Sequence, residues 1–432
     1  MLIERPQYLQ KLISKRENGL VKVITGMRRC GKSFLLFDIF HNYLISEKVK
    51  SKHIIELALD EARNAKYRNP LELDQFIREQ VIDKNQMYYV FLDEIQKVSE
   101  IQNPYIDDEN ARIGFVDVLL GLMKIKNVDI YVTGSNSKML SSDIITEFRD
   151  RGDEVRMRPL AYKEFHAVFG GEQQNAWNEY YIYGGMPLVV LKKNHEEKSQ
   201  YLKDLFTKTY ITDVIERHRI SNDKKTLEEL INIVSSSIGS LTNPTKLSNT
   251  FKSVKKIGIK PMTINNYLDY FVDAFVINKA YRYDIKGKKY IDTPLKYYFT
   301  DVGLRNARLN FRQQEENHIM ENIIFNELNT RDFDVDVGVV EYNHKNKNGD
   351  SLRSQLEVDF IANKANKRYY IQSALTISEE NRIQETNSLR RINDSFKKIV
   401  VVKDDIIPWH DENGILFVGI EQFLLNESSM EL

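Results

Sequence analysis

The strongest chemical signal in the chain is residues 21–33, which read VKVITGMRRCGKS. A glycine, four residues and then Gly31-Lys32-Ser33 is the pattern of a phosphate-binding loop. Glycines let backbone N–H groups converge on a phosphate, and the start of the following helix adds a partial positive charge. We expect Lys32 to reach the β- and γ-phosphates and the Ser33 hydroxyl to bind Mg²⁺. The alternative is an ordinary glycine turn, which the apolar strand before the loop and the helical spacing after it disfavour.

The predicted nucleotide contacts extend over the loop and the residue that follows it: Gly26, Met27, Arg28, Arg29, Cys30, Gly31, Lys32, Ser33 and Phe34. We expect the side chains of Arg28 and Arg29 to be exposed. Cys30 is the only cysteine of the chain, so no intrachain disulfide can form and a reducing compartment is predicted. We interpret Cys30 as a small tolerated side chain, with a redox switch as the alternative.

A second chemical signal is residues 88–96, YYVFLDEIQ, where an acidic pair ends an apolar strand. Ligands of open α/β sheets bind at the carboxyl ends of the strands. Asp93 is therefore expected to hold Mg²⁺ through its water shell, and Glu94 to orient and polarise the water that attacks the γ-phosphate. The alternative is a pair of acidic residues that caps a helix.

Two further segments supply candidate catalytic residues. In IYVTGSNSK, residues 130–138, Ser135 or Asn136 is placed to hydrogen-bond the γ-phosphate or the attacking water, and the alternative is a polar turn. In EFRDRGDEV, residues 147–155, Arg149 or Arg151 is a candidate arginine finger for the nucleotide of a neighbouring subunit. The alternative for each arginine is a solvated surface position.

The elements that must position these residues alternate between strand and helix. This alternation predicts an α/β domain over residues 1–170, with a parallel sheet covered on both faces. The predicted strands are 21–25, 54–59, 88–92, 130–133 and 154–157, and the predicted helices include 34–44, 71–81 and 115–124.

Composition limits the class of protein. The 432 residues include 62 basic and 62 acidic side chains, and 42% are hydrophobic, as in a globular protein. The net charge of zero gives no overall sign of a polyanion partner. No run of 18 apolar residues occurs, and the first residues lack the apolar core of a signal peptide, so we predict a cytoplasmic protein without a membrane segment.

The middle of the chain is predicted to be helical and then a winged helix. Residues 171–225 form a helical lid or a plain connector, with a break at 184–187. Residues 226–310 show three helices (227–238, 244–257 and 263–275, the last capped by Thr263) followed by strands at 280–283, 289–292 and 296–299. Lysines make this region locally basic and are candidates for contacts with a DNA backbone: Lys252, Lys255, Lys256, Lys260 and those of the hairpin KGKK. The alternative is a winged helix that packs against protein.

Residues 311–432 are similar in pattern to the PD-(D/E)XK nuclease core, through Glu321, Asp359 and the strand YYIQSA. Such a site needs two carboxylates that hold Mg²⁺ and a lysine that assists the attacking water. Gln372 stands at the second acidic or amide position and Ala374 at the lysine position, so the lysine is missing. We predict a degenerate nuclease-like domain that serves as a binding or assembly platform.

Taken together, GMRRCGKS, YYVFLDEIQ, TGSNS, RPLAYKEF and YGGMP resemble a bacterial and archaeal family of AAA-type ATPases with a C-terminal DUF4143-type region. The resemblance covers nearly the entire chain. It implies a P-loop ATPase with an additional catalytic glutamate, related to STAND-like regulatory ATPases, that prefers ATP to guanine nucleotides. It also supports the winged helix, and it makes Ser135 or Asn136 the sensor residue.

The functional prediction is a Mg²⁺-dependent ATPase that switches conformation with ATP or ADP and acts on a DNA or protein partner, with a homo-oligomer as a further possibility. One alternative is an ATP-dependent DNA-processing enzyme with an active C-terminal nuclease. Another is a signalling or defence scaffold whose oligomerisation is set by the nucleotide state.

Overall fold

The computed structural model describes residues 3–134, 151–220, 224–312, 315–345 and 351–432. The chain divides into two units, one formed by Met1–Pro159 with Asp273–Phe275 and the other by Leu160–Val272 with Val276–Leu432. None of the helices within these described ranges is long and apolar enough to cross a membrane.

The first unit is built on a sheet of five parallel strands. These are β1 (Val21–Thr25), β2 (Ile54–Ala58), β3 (Tyr88–Asp93), β4 (Val128–Thr133) and β5 (Gly152–Arg156), in the spatial order β2-β3-β4-β1-β5. Every residue of β1, β3 and β4 is buried, which explains their continuous apolar sequences. The predicted parallel α/β sheet is confirmed.

Helices cover both faces of this sheet. They are α1 (Pro6–Ser14), α2 (consecutive segments Lys32–Phe34, Leu35–Phe40 and His41–Ser46), α3 (Pro70–Gln80) and α4 (Phe115–Leu122). The segment Leu35–Phe40 is a π-helical turn inside α2, which apolar spacing cannot distinguish from an α-helix. Shorter pieces are the 3₁₀ turns Ser51–His53, Ala62–Arg68 and Ile95–Lys97 and a ribbon of Ile101–Gln102 with Arg112–Ile113.

The two faces of the sheet have different cores. On one face, α3 and α4 contribute Leu73, Ile77 and Leu119 to a cluster that also contains Val90 and Val132 of the sheet. On the other face, Phe40 of α2 lies 4.8 Å from the ring of Tyr131 and 5.7 Å from that of Phe91, measured between ring centroids. Neighbouring residues of a strand point to opposite faces, so Phe91 and Tyr131 contact α2 while the residues next to them face α3 and α4. These contacts hold α2, and with it the loop that precedes it, against the middle of the sheet.

The second unit is built on a mixed sheet of eight strands. These are β6 (Ile277–Asp284), β7 (Lys289–Phe299), β8 (Asp334–Lys345), β9 (Ser351–Lys364), β10 (Lys367–Ala374), β11 (Lys397–Val402), β12 (Trp409–His410) and β13 (Leu416–Gly419). Their spatial order is β12-β13-β11-β10-β9-β8-β6-β7. The pairs β8–β6, β10–β11 and β11–β13 are parallel, and the other four neighbouring pairs are antiparallel.

Helices of the second unit precede the sheet and connect its strands. Their bounds are Tyr162–Val168, Ala176–Tyr183, Pro187–Val190, His195–Asp204, Leu205–Ile211 (a π-helix), Thr212–Arg217, Lys224–Ser236, Pro244–Thr250 with the π-helical Phe251–Lys255, Pro261–Asp273, Val302–Arg308, Glu316–Thr330, Arg382–Arg390 and Ile420–Leu425; Gln173–Asn175 and Ser429–Glu431 are 3₁₀ turns. The predicted break at 184–187 lies between two of these helices. There, Gly184 has φ +70° and the Gly185 N–H donates to Asp301 at 2.7 Å.

The region predicted as a winged helix contains the three expected helices and the expected hairpin. The hairpin strands β6 and β7, however, are part of the eight-stranded sheet and do not form a sheet of their own. Strand β6 pairs with β8, so the eight-stranded sheet continues across the boundary predicted at residue 310. The pairing of β6 with a strand about 50 residues later leaves no local sequence signal. The names winged helix and nuclease-like domain therefore stay predictions.

Two local expectations in this region need correction. The strands predicted at 289–292 and 296–299 form the single strand β7, which includes Pro294. The proline is tolerated because β7 lies at the edge of the sheet, where a residue without an N–H can be accommodated. The third helix begins at Pro261, so Thr263 lies in its first turn and does not cap it. Proline is favoured in the first turn, where its missing N–H has no helical partner.

Candidate functional site

The loop after β1 depends on its two glycines. Gly26 has φ +140° and Gly31 has φ +104°, a range that other residues rarely adopt. A Cβ atom on Gly26 would lie 2.1 Å from the carbonyl oxygen of Met157, so only glycine fits beside the residue that follows β5. Gly31 directly precedes the first turn of α2. The glycines of the motif are thus required by the backbone path of this loop.

The side chain of Lys32 folds back over the loop. It is 5% exposed, and its Nζ donates to the carbonyl oxygens of Gly26 at 3.0 Å and Met27 at 2.9 Å. Both acceptors are neutral, so the positive charge of the ammonium is held in place but is not neutralised by them. Exchange of these carbonyls for phosphate oxygens would give the ammonium negatively charged acceptors in place of neutral ones.

The side chains of Ser33 and Asp93 meet, although 60 positions separate them. The Ser33 hydroxyl is 2.8 Å from Oδ2 and 3.0 Å from Oδ1 of Asp93. Ser33 is the second residue of α2, and Asp93 is the last residue of β3. The parallel arrangement of the sheet brings the two strand ends to the same edge, as the motif spacing predicts.

Asp93 is also bound by Thr133, the last residue of β4. The Thr133 hydroxyl donates to Oδ1 of Asp93. Burial raises the pKa of Asp93, and the hydrogen bonds from Thr133 and Ser33 oppose this rise. Sequence reasoning missed Thr133 and selected the polar residues that follow it. The available signal was a hydroxyl at the carboxyl end of the strand next to β3.

Glu94 adopts a conformation that is rare for a residue with a side chain. Its φ is +53°, and its N–H donates to the Thr133 hydroxyl oxygen at 3.1 Å. Its Oε2 accepts a hydrogen bond from the Gln96 side chain. Backbone conformations of this kind cluster at functional sites, where the surrounding structure holds them. Glu94 is half-buried and directly follows Asp93 in sequence. It therefore lies at the strand end where Asp93 meets the loop of Lys32.

The other predicted loop contacts divide by side-chain exposure. Met27 and Cys30 are fully buried, so only their backbone groups are free of the core. Arg29 is exposed, as expected, whereas Arg28 is half-buried. Phe34 is 36% exposed at the first turn of α2. The side chains that face a ligand from this loop are thus those of Lys32 and Ser33, together with the two arginines.

The candidate sensor and arginine fingers are only partly within the described residues. Ser135, Asn136 and Arg149 lie outside them. Arg151 has an exposed side chain immediately before β5, and its carbonyl oxygen accepts from the Val21 N–H at 3.1 Å. Its backbone is thus part of the sheet, and its role as a finger for a neighbouring subunit stays a prediction.

With this geometry in place, comparison with known proteins assigns the family. Residues 18–166 match the family model of an AAA domain. The chain is 33% identical over 405 residues to an uncharacterized protein of Haemophilus influenzae, with 93% of each protein covered. The chain belongs to this AAA-domain family. It is also 28% identical over 408 residues to the uncharacterized protein MJ1544 of Methanocaldococcus jannaschii, with 91% of this chain and 82% of the relative covered.

Neither the similar solved structures nor the family match of residues 174–315 extends the family assignment. The Walker-type ATPase of Pyrococcus abyssi superposes with a TM-score of 0.49 at 15% identity, covering 71% of this chain and 96% of that one. The ORC2 protein of Aeropyrum pernix gives 0.39 at 11% identity, covering 73% and 92%. Both scores are too low to support a further conclusion. The expected DUF4143-type region is not confirmed, since residues 174–315 match instead a domain of unknown function, DUF8612.

The second unit holds another group of a lysine and carboxylates, which we call the Lys296 cluster: Lys296, Tyr298, Glu321, Glu357 and Asp359. Lys296 is 3% exposed, and its Nζ lies 2.8 Å from Oε1 of Glu321 and 2.7 Å from Oε1 of Glu357. The Tyr298 hydroxyl also donates to Glu321. Lys296 and Tyr298 both lie on β7, which precedes the motif that the sequence analysis identified.

Asp359 completes the Lys296 cluster as a carboxyl group with its own partners. Its Oδ2 accepts from the Gln372 side chain at 3.0 Å and from the Ser373 N–H at 2.8 Å. Burial, followed by the negative charge of Glu321, raises the pKa of Asp359 to about 8. This carboxyl group is therefore mostly protonated at neutral pH.

The predicted nuclease residues thus come together without free metal ligands. The lysines near the motif are engaged elsewhere, Lys364 with the carbonyl oxygen of Arg331 at 2.8 Å and Lys367 with Glu431 at 2.6 Å. No group of three or more His, Cys, Asp or Glu side chains in the described part of the chain could hold a metal ion. The sequence analysis missed Lys296 because nothing in the spacing connects it to Glu321 and Asp359.

Proposed function

We propose that this protein is a Mg²⁺-dependent ATPase that uses ATP binding and hydrolysis as a conformational switch. The observation that carries the proposal is the contact of the Ser33 hydroxyl with the Asp93 carboxylate, 2.8 Å apart, beside the loop of Lys32. A hydroxyl and a carboxylate are oxygen donors of the kind that Mg²⁺ prefers. Membership of the AAA-domain family supports the same reaction.

The residues that would hold the metal are Ser33, directly, and Asp93, through water. When bound, Mg²⁺ would neutralise negative charge on the phosphate oxygens of ATP. Thr133 supports this arrangement because its hydroxyl fixes one oxygen of Asp93 and leaves the second one on the side of Ser33. Burial of Asp93 strengthens its interaction with nearby positive charge.

Lys32 and Glu94 act on the reacting phosphate and on water. The Lys32 ammonium leaves the carbonyl oxygens of Gly26 and Met27 and donates to the β- and γ-phosphate oxygens. Glu94 accepts a hydrogen bond from the attacking water through a carboxylate oxygen and so directs the water lone pair at the γ-phosphorus. The Gln96 contact holds that carboxylate before the substrate binds.

Substitution of Glu94 separates binding from chemistry. In Glu94→Gln the amide retains the shape of the side chain but is a poor proton acceptor. We expect ATP affinity close to that of the wild type and hydrolysis slower by about 10²–10⁴-fold. Calorimetry measures the binding and phosphate release measures the turnover. Retained turnover would contradict the role assigned to Glu94.

The switch is proposed to act on a DNA or protein partner and to operate in a homo-oligomer. Exposed lysines at 252, 255, 256 and 260 support a contact with a DNA backbone, although Lys255 is already paired with Glu229 at 2.7 Å. Filter binding of duplex DNA at two salt concentrations tests this contact, and binding that does not weaken with salt would contradict it. Size-exclusion chromatography with ADP and with a non-hydrolysable ATP analogue tests nucleotide-dependent assembly.

We propose that the second unit does not cleave nucleic acid. The charges of Glu321 and Glu357 are already paired with Lys296, so Mg²⁺ would have to displace its ammonium. Asp359, whose pKa burial raises to about 8, would also have to lose a proton. Incubation with plasmid, Mg²⁺ or Mn²⁺ and ATP tests this directly. Cleavage that is lost in Glu321→Gln would show that the competing function, an ATP-dependent nuclease, is correct.

A further inference from the structure

Arg5 is a buried cation behind the phosphate-binding loop. It is 3% exposed and directly precedes α1. Its Nη1 donates to the carbonyl oxygen of Cys30 at 3.1 Å, and its Nη2 donates to the carbonyl oxygens of Arg158 at 2.8 Å and Pro159 at 3.4 Å. One guanidinium group therefore joins the beginning of the chain, the loop and the segment that follows β5.

The contact with Cys30 fixes a peptide group that matters for phosphate binding. The carbonyl of Cys30 and the N–H of Gly31 belong to one planar trans peptide, so they point in opposite directions. When the oxygen is held by Arg5, the Gly31 N–H is directed away from Arg5. This N–H belongs to the residue that precedes α2, the position at which backbone donors bind phosphate.

This peptide needs an external support because glycine does not hold its own conformation. Gly31 has φ +104°, and glycine exchanges easily between left- and right-handed regions. A peptide flip at this position would turn the carbonyl of Cys30 toward the bound phosphate and remove one donor. The Arg5 guanidinium opposes such a flip because the flip would break the buried hydrogen bond between its Nη1 and the Cys30 carbonyl oxygen.

The other side of the contact is braced by Tyr8. The Tyr8 hydroxyl accepts a hydrogen bond from the Arg158 N–H at 3.1 Å, and the guanidinium carbon of Arg5 lies 4.7 Å from the Tyr8 ring centroid. The Arg158 carbonyl and N–H are thus both bound from the N-terminal segment. Arg5 thus lies between the ring of Tyr8 and the backbone of Arg158, and this position brings its guanidinium to the Cys30 carbonyl oxygen.

We propose that Arg5 is a positioning residue of the nucleotide site, which holds the Cys30–Gly31 peptide with its N–H directed at the phosphates of ATP. The inference rests on the proposed ATP-binding function and adds to it a residue outside the phosphate-loop motif. Because the peptide has the same orientation toward substrate and transition state, Arg5 contributes to nucleotide binding and not selectively to the chemical step.

The test compares Arg5→Met, Arg5→Lys and Tyr8→Phe in the full chain, with ATP and Mg²⁺ as the probe. Arg5→Met keeps an unbranched apolar stem but removes all donors, and we expect its Kd and KM for ATP to rise about 10- to 100-fold, as for other supporting hydrogen bonds. The kcat at saturating ATP is expected to stay within about threefold of the wild type, since uniform binding is what is lost. Arg5→Lys retains one charged donor and is expected to lie between the two.

Tyr8→Phe is the matched control, because it removes the hydroxyl beside Arg158 and leaves the contact of Arg5 with Cys30. We expect a lower melting temperature and an ATP affinity within about threefold of the wild type. If Arg5→Met is too unstable to purify, Arg5→Lys decides: wild-type affinity in a folded Arg5→Lys protein overturns the proposal.

Failure of this inference differs from failure of the proposed function. A wild-type protein that binds no ATP would contradict the proposed function itself. A wild-type protein that binds ATP, together with an Arg5→Met protein of equal affinity, would overturn only the role of Arg5. Equal weakening in Arg5→Met and Tyr8→Phe would also overturn it, because the effect would then follow from general loosening of the N-terminal segment.

Discussion

The loop of Lys32 and the Lys296 cluster each hold a buried lysine near carboxylates, but the two lysines have different hydrogen-bond partners. Lys32 is bound by two neutral carbonyl oxygens of its own loop. Lys296 is bound by two carboxylates, those of Glu321 and Glu357. The residue types alone are therefore a poor guide to function, and the partners of each ammonium are the informative feature.

The difference teaches how a site stays ready for a ligand. A lysine whose ammonium donates to neutral carbonyl oxygens keeps its positive charge available for an anionic ligand. Exchange of these carbonyl oxygens for oxygens of the ligand costs little free energy. A lysine paired with buried carboxylates is already neutralised, and removal of either partner leaves an uncompensated buried charge. From this difference we propose a ligand-binding role for the loop of Lys32 and a structural role for the Lys296 cluster.

The largest expected effect is at Lys32. Lys32→Ala removes the ammonium that stabilises charge on the transferred phosphate, so we expect ATP hydrolysis to fall by at least about 1,000-fold. The free energy of unfolding should change little, because the lost hydrogen bonds go to neutral carbonyl oxygens and the substitution leaves no buried charge without a partner. Phosphate release and thermal unfolding measure the two quantities. Hydrolysis within tenfold of the wild type would place the chemistry elsewhere.

Lys296→Met is the converse change, with a large effect on stability and none on hydrolysis. It strands the charges of Glu321 and Glu357, and we expect the free energy of unfolding to fall by about 3 kcal/mol. The ATPase rate of the folded protein should match that of the wild type. Denaturant unfolding provides the first number. A stable variant that binds Mn²⁺ where the wild type does not would break the comparison, because the cluster would then be a concealed metal site.

A smaller effect is expected at Thr133, which supports the first site without touching the ligand. Thr133→Val conserves volume but removes the donor to Asp93 and the acceptor for the Glu94 N–H. We expect the kcat for ATP hydrolysis to fall about tenfold, the worth of one hydrogen bond to a charged group. Thr133→Ser is the control that keeps the hydroxyl, and an equal loss in both variants would argue against this role.

The smallest effect concerns the pH dependence of stability in the Lys296 cluster. Asp359 has a raised pKa of about 8, so its stabilising contribution is complete below the unfolded value near 3.8 and is lost as the pH rises through about 8. Asp359→Asn removes this loss. Relative to the wild type, the variant should gain at least about 1.4 kcal/mol of unfolding free energy between pH 5 and pH 9. Denaturant unfolding at both values measures the gain, and parallel curves for the two proteins would contradict it.

Much of the first unit could be predicted from sequence because its signals are local. Strands β1, β3 and β4 are buried apolar runs, and Asp93 and Ser33 lie where a strand or a helix meets the sheet edge. Thr133 was not predicted because a threonine within a β-branched strand has no distinguishing pattern. Its role appears only when β4 lies between β1 and β3.

The second unit was harder to predict because its decisive contacts are distant in the chain. Strand β6 pairs with β8 across the helices Val302–Arg308 and Glu316–Thr330, and Lys296 reaches Glu357 from 61 positions away in sequence. A motif search at positions 372 and 374 correctly reports a missing lysine but cannot show that another strand supplies one to the same carboxylates. Arg5 was missed for the same reason, since its partner Arg158 lies 153 positions later.

The most direct test of the central claim is a calorimetric titration of the wild type, Lys32→Ala and Lys296→Met with ATP in the presence of Mg²⁺. The account predicts one ATP bound per chain in the wild type, the same affinity in Lys296→Met, and binding lost or weakened at least about 100-fold in Lys32→Ala. No uptake of ATP by folded wild-type protein, or undiminished binding in Lys32→Ala, would contradict it.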